Sequence, residues 1–235
     1  MSQKRPKRQA QVTESSEKSR PRITITAQGE KQKECLHSLF TAPCVVCLGP
    51  AGVGKTFLAA SVAAKDFAER RINKIILSRA NVPTGRSLGA FKGTIAEKMS
   101  PWLMPLTDIL RLQLGHGLYE HACAHGAIEI QPFETIRGRS FDDAIILMDE
   151  AQQLTKSDIQ AITTRIGKYS KLFMMGDSRQ RDIEVDGLEW LKGVAERHNL
   201  PVDVHTFTSA DVVRSDICAA FVKAYEAEVE DHGRI

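Results

Sequence analysis

The stretch Gly49-Pro50-Ala51-Gly52-Val53-Gly54-Lys55-Thr56 constrains the fold of this 235-residue chain more than any other. It fits G-x-x-x-x-G-K-[S/T] in full, follows a short apolar run at Cys44–Leu48, and opens a helical pattern at Phe57–Phe67. A strand, a glycine-rich turn and a helix N-terminus in that order make a phosphate cradle. The glycines let the backbone curl so that its N–H groups face phosphate oxygens, and the helix end adds partial positive charge. Lys55 is then the cation that reaches the β- and γ-phosphates, and the Thr56 hydroxyl is a ligand for Mg²⁺. Gly49, Pro50, Ala51, Gly52, Val53, Gly54, Lys55 and Thr56, with Phe57 after them, are the expected nucleotide-binding set.

The rest of the chain alternates short apolar runs with helical stretches. Cys44–Leu48, Lys74–Ser78, Ala127–Ile130, Ala144–Met148, Lys171–Met175 and Val202–Thr206 are short runs rich in apolar or β-branched residues, as strands buried on both faces are. Helices are expected at about 31–40, 55–70, 95–113, 155–166, 187–197 and 216–230, the fourth closing at Gly167 and the fifth opening with Asp186-Gly187. Strands alternating with helices imply a mostly parallel sheet with crossover helices on both faces, a three-layer αβα domain.

Ile145-Ile146-Leu147-Met148-Asp149-Glu150 is an apolar strand ending in two carboxylates. At such a strand end Asp149 is placed to hold Mg²⁺, and Glu150 to polarise an attacking water. The following strand runs into Gly176-Asp177-Ser178-Arg179-Gln180, where Gln180 is the candidate sensor of the γ-phosphate.

Charge divides the chain. The whole carries a formal net charge of +3. Residues 1–22 alone hold seven basic side chains against two acidic ones and almost nothing apolar. Residues 1–23 therefore read as a disordered basic arm and 24–235 as one domain, since the arm has too little apolar surface to offset its ordering entropy. A basic arm suits non-specific contact with nucleic acid, or simply keeps the chain soluble. Five cysteines, an odd number, do not make a disulfide framework, and no apolar segment follows the basic N-terminus, so the expected setting is the cytoplasm, with no membrane partner.

These motifs, in this order and spacing, resemble the PhoH-like family, ATPases on a RecA-like core related to superfamily 1 helicases. The resemblance runs from about Ile25 to Tyr225. It rests on the phosphate loop, Arg137-Gly138-Arg139, the run from Met148 to Thr155, and Thr164-Arg165-Ile166-Gly167 followed by Ser170-Lys171. It continues through Gly176–Asp182 and Asp211-Val212-Val213-Arg214. It implies ATP and Mg²⁺ as cofactors, Gln32 as the reader of adenine, and Arg214 as an arginine for the γ-phosphate. It also implies nucleic-acid contacts around Arg79, Gly85 and Gly89. Here the chain departs from the family pattern: Ala80 stands for a proline, Arg86 for an acid, and Ser215 for the histidine after Arg214.

Three further signals have plain explanations. Cys44 and Cys47 lie three apart in an expected strand and face opposite sides, which suits packing rather than metal binding. His116, His121, Cys123 and His125 lack the paired spacing of a zinc site and read as a helix end and loop. Trp102–Leu106 reads as core rather than a stacking platform.

The expected activity is ATP hydrolysis coupled to single-stranded nucleic acid, with RNA favoured. Because helicase relatives close ATP between two core domains and this chain has one, a homo-oligomeric ring is the natural way to complete each site. The alternatives are an ATP-gated regulatory module that never translocates and, less well supported, a small P-loop kinase.

Overall fold

The computed structural model describes residues 23–80, 95–136, 138–180 and 187–232. The order of elements is α1 (Glu30–Thr41), β1 (Cys44–Leu48), α2 (Lys55–Ala68), β2 (Lys74–Arg79), α3 (Ile95–Leu114), α4 (His116–Ala124), β3 (Ile128–Ile130) and α5 (Phe133–Ile136). There follow β4 (Ala144–Asp149), α6 (Lys156–Thr163), β5 (Lys171–Gly176), α7 (Gly187–His198), β6 (Val202–Thr206) and α8 (Asp216–His232).

The six strands form one sheet in the order β3-β2-β4-β5-β1-β6, with every pairing parallel. This is the expected RecA-like αβα arrangement. β5 lies between β1 and β4, so the phosphate loop and the acidic strand end are separated by one strand and face each other across its tip.

Strand alternation divides the interior into two cores. Val45, Cys47, Ile75, Leu77, Ile145, Leu147, Phe173 and Met175 face α1 to α4, while Cys44, Val46, Leu48, Ile76, Ile146, Met148, Leu172 and Met174 face α5 to α7. The cysteines at 44 and 47 thus point to opposite faces, as their spacing requires. α2 buries Ala59, Ala60, Ala63 and Ala64 along with Leu58 and Val62, and these short side chains let it lie close on the sheet. α6 begins at a reciprocal capping box between Thr155 and Asp158. Gly167 lies beyond its end, where a Cβ would come within 2.4 Å of the Phe141 carbonyl, so only glycine fits the bridge between Phe141 and Ile166.

The structure departs from expectation at three places. Ile23, put at the end of the arm, is buried in the first core, and its carbonyl accepts from Lys65 Nζ at 2.9 Å, so it belongs to the folded domain. His116–Ala124 forms a helix rather than a helix end and loop, because Tyr119 and Ala122 turn inward one turn apart, with the Arg111 guanidinium over the Tyr119 ring. In the stretch after Trp102, Leu103 and Leu106 are core but Met104 is exposed. The bulk of the arm, Gly85, Arg86, Gly89, Arg137 and Asp186 lie outside the described residues.

Candidate nucleotide site

The phosphate loop is held from four sides. Gly49 N–H donates to Gly176 O at 3.1 Å, Phe207 N–H to Leu48 O at 2.8 Å, Val213 N–H to Gly52 O at 3.0 Å, and the Gln32 side-chain amide to Val53 O at 2.9 Å. Gly49 has φ +141, and a Cβ there would lie 2.7 Å from Phe207, so the loop needs glycine for both conformation and space. Gly54, with φ +88, turns the chain into α2 and leaves the helix N–H groups facing the cleft.

This cleft has a volume of about 740 Å³ and is lined by Gln32, Ala51, Gly52, Gly54, Lys55, Thr56, Phe57, Asp149, Glu150, Gln180 and Arg214, which the sequence singles out. Gly49, Pro50 and Val53 belong to the same loop but do not line the cleft. Arg79, Asp177, Pro105 and Ile109 join the lining from elements to which sequence reasoning gave other roles or none.

Lys55 is folded back onto its own loop. Its Nζ donates to Gly49 O at 2.6 Å and Pro50 O at 2.8 Å, and burial lowers its proton affinity against the pull of Asp177, Cys47, Asp149 and Glu150. A phosphate has to take the ammonium from these carbonyls. Asp149 is displaced in the opposite sense: burial first, then the neighbouring Glu150 carboxylate, raises it, while Arg79, the Glu150 N–H and Lys55 pull it down. A buried carboxylate beside a second one is an environment that a divalent cation relieves, and Thr56 lines the same cleft, so Asp149 and Thr56 fit the holding of Mg²⁺.

Glu150 sits at φ +51, a left-handed conformation that a non-glycine residue adopts at a cost. That turn swings its carboxylate off the strand line. Oε1 accepts from Arg79 Nη2 at 3.1 Å and Oε2 from Gln152 Nε2 at 2.6 Å. Gln152 is buried, and its Oε1 accepts from Asp177 N–H at 3.2 Å. Asp177 in turn accepts from Gln180 Nε2 at 3.0 Å and from Arg179 N–H at 3.1 Å, and Arg179 pairs with Glu226 on α8. A chain of polar contacts therefore crosses the tips of β2, β4 and β5.

The structure brings the candidate groups together but assigns partners that the sequence did not reveal. Gln32 has both ends of its amide committed, since its Oε1 also accepts from Gln28 N–H at 2.8 Å. Gln180 is held by Asp177 rather than reaching freely into the cleft. Arg214 lines the cleft of its own chain, its Cβ 3.1 Å from where a Cβ on Gly52 would stand. Arg79, which the resemblance placed at nucleic acid, turns inward onto Asp149 and Glu150. Arg139 lies outside the site, bound to Glu129 at 3.0 Å and over the Phe141 ring. Gln152 and Asp177 have no signal in the sequence beyond their position just after β4 and β5.

Among the described residues no group of three or more His, Cys, Asp and Glu side chains is arranged to hold a metal by itself. The His121 and His125 rings stack at 4.0 Å, with His125 Nδ1 on the His121 carbonyl. No helix among them is long and apolar enough to cross a membrane.

The PhoH-like protein family model matches residues 24–226. A PhoH-like protein of Bacillus subtilis is 36% identical over 88% of this chain and 67% of its own length, one of Mycobacterium tuberculosis 35% over 92% and 61%, and Protein PhoH of Escherichia coli 31% over 88% and 60%. The chain thus spans between three fifths and two thirds of the length of these relatives. Among solved structures, the large terminase of a thermophilic bacteriophage superposes with a TM-score of 0.48 at 13% identity, covering 85% of this chain and 50% of the terminase. The domain built around the Lys55 loop and the Asp149–Glu150 strand end belongs to the PhoH-like protein family.

Proposed function

We propose that this chain is an Mg²⁺-dependent ATPase that couples hydrolysis to the remodelling of single-stranded nucleic acid, RNA in preference to DNA. The observation that carries the hydrolytic part is the convergence of Lys55, Thr56, Asp149 and Glu150 on one cleft. A cation for the phosphates, two groups for the metal and a carboxylate beyond them are what in-line attack by water requires. The nucleic-acid part is supported by the family's relation to helicases and by the positive charge of residues 1–22.

The test is ATP turnover with and without single-stranded RNA and DNA, alongside the oligomeric mass. RNA stimulation supports the coupled ATPase, and unstimulated turnover supports a regulatory module. Transfer of the phosphoryl group to an acceptor other than water supports a kinase. Lys55→Ala should nearly abolish nucleotide binding. Glu150→Gln should keep binding while hydrolysis falls roughly 10²–10⁴-fold. Deleting residues 1–22 should weaken RNA binding and flatten its salt dependence by about 0.7 in log–log slope per lost phosphate contact.

A further inference from the structure

Arg79, the last residue of β2, spans two elements. Its Nη1 donates to the Trp102 carbonyl on α3 at 2.9 Å and its Nη2 to Glu150 Oε1 at 3.1 Å, with Asp149 Oδ2 at 3.5 Å from Nη1. The second Glu150 oxygen is taken by Gln152. Both oxygens of the candidate base are therefore engaged by protein donors, one of them a full cation. Gln152, a neutral amide, orients this carboxylate, whereas the Arg79 cation competes with a water proton for Oε1.

The anchor on α3 is at a weak point. Pro101 and Pro105 lie inside that helix on either side of Trp102. Neither has an N–H, so two consecutive turns each lack an intrahelical hydrogen bond. The same helix walls the cleft through Pro105 and Ile109. Pro105 and Ile109 follow Trp102, whose carbonyl Arg79 holds, by about one and two turns.

We propose that Arg79 is an autoinhibitory latch on the hydrolytic step, clamping Glu150 to Trp102 of α3 until nucleotide entering against Pro105 and Ile109 shifts α3 and frees the carboxylate. The proposal rests on the ATPase reading of this cleft. Arg79 acts through Glu150 and is a positioning residue. The link between α3 and Glu150 is made by the guanidinium, which has donors on both arms of its fork and reaches both at once.

The experiment has one arm that needs no turnover. The chain has two tryptophans, so Trp190→Phe leaves Trp102 as sole reporter. In that background, the non-hydrolysable analogue AMP-PNP with Mg²⁺ should change the Trp102 emission, and Arg79→Ala should show the changed spectrum before nucleotide is added. With both tryptophans present, Arg79→Ala should raise kcat for ATP without nucleic acid roughly three- to fivefold at little-changed KM, the factor for losing one partly exposed charged contact. Arg79→Lys keeps the charge but not the fork, and should fall between. A lowered kcat in Arg79→Ala, or a Trp102 spectrum that stays at the unliganded form until nucleotide arrives, overturns the latch. A parent chain whose Trp102 answers AMP-PNP but which never releases phosphate overturns the ATPase reading while supporting the Arg79–α3 coupling.

Discussion

The Gln32 side-chain amide donates to the Val53 carbonyl across 2.9 Å, so α1 holds the crest of the phosphate loop through one buried side chain. The other end of that amide accepts from Gln28 N–H, which fixes the segment leading into α1 against the same loop. In this arrangement the Gln32 amide is committed to the loop and to the segment leading into α1.

Gln32→Ala should therefore weaken ATP and GTP binding by similar factors. It should also destabilise the chain by about 1–3 kcal/mol, because the Gln28 N–H and the Val53 carbonyl are left without their partner. Calorimetric titration with both nucleotides, together with thermal melting, checks this. A selective loss of ATP affinity with an unchanged melting temperature shows instead that Gln32 reads adenine.

Asp149 gives a stability prediction with a definite sign. Its proton affinity is raised above the ordinary value of 3.8 by burial and by Glu150. A carboxyl whose folded value exceeds its unfolded one costs stability as pH climbs from the unfolded value through the folded one, and the whole cost is felt above both. Asp149→Asn removes it. Melting at pH 7 should rise by a few degrees, the gain should vanish near pH 3.8 and below, and Mg²⁺-dependent turnover should be lost. A drop in melting temperature at pH 7 shows that the Arg79 contact outweighs the burial cost.

Gln152 ties the two strand tips together, donating to Glu150 and accepting from Asp177 N–H. Gly176 is glycine for its sake, since a Cβ there would lie 2.4 Å from Gln152 Oε1. Gln152→Ala unhooks Glu150 from the loop after β5 and leaves a buried N–H without its acceptor. Turnover should fall about 10- to 100-fold, while nucleotide affinity stays within about threefold because the phosphate loop is untouched. A loss confined to KM would place Gln152 in nucleotide binding instead.

The fold was legible in this sequence because the central strands β1, β2, β4 and β5 are apolar runs buried on both faces, and the edge strands β3 and β6 still carry β-branched residues. Cys44–Leu48 and Val202–Thr206 match the structure residue for residue, and the other four strands agree within one residue at an end. The phosphate loop was legible for a related reason: few sequences satisfy so many glycine and side-chain requirements in eight positions. What stayed hidden was pairing across strands. Arg79 and Glu150 are 71 residues apart, and nothing local to either says that β2 and β4 will be neighbours in register Arg79 to Asp149. The polar histidines around Tyr119 and Ala122 hide the apolar face of α4, so the sequence there reads as a helix end and loop.

Arg214 separates two ways of completing the site. In a homo-oligomeric ring of the kind a single core domain suggests, the arginine would be supplied across an interface. In the structure Arg214 lines its own cleft, and Val213 N–H is bonded to Gly52 O, which fixes the residue before it to the phosphate loop of the same chain. An arginine at a γ-phosphate stabilises charge developing on the oxygens and can contribute roughly 10³–10⁵ in rate. Arg214→Ala should lose most turnover. Mixing it with Lys55→Ala then distinguishes the arrangements. If Arg214 serves its own chain, every subunit in the mixture lacks either its lysine or its arginine, and no activity returns. If it serves a neighbour, some interfaces pair an intact Lys55 with an intact Arg214, and up to about a quarter of the native rate reappears under random assembly of independent sites. The geometry leads us to expect no recovery, read as phosphate release from mixtures whose mass confirms that the two variants have exchanged.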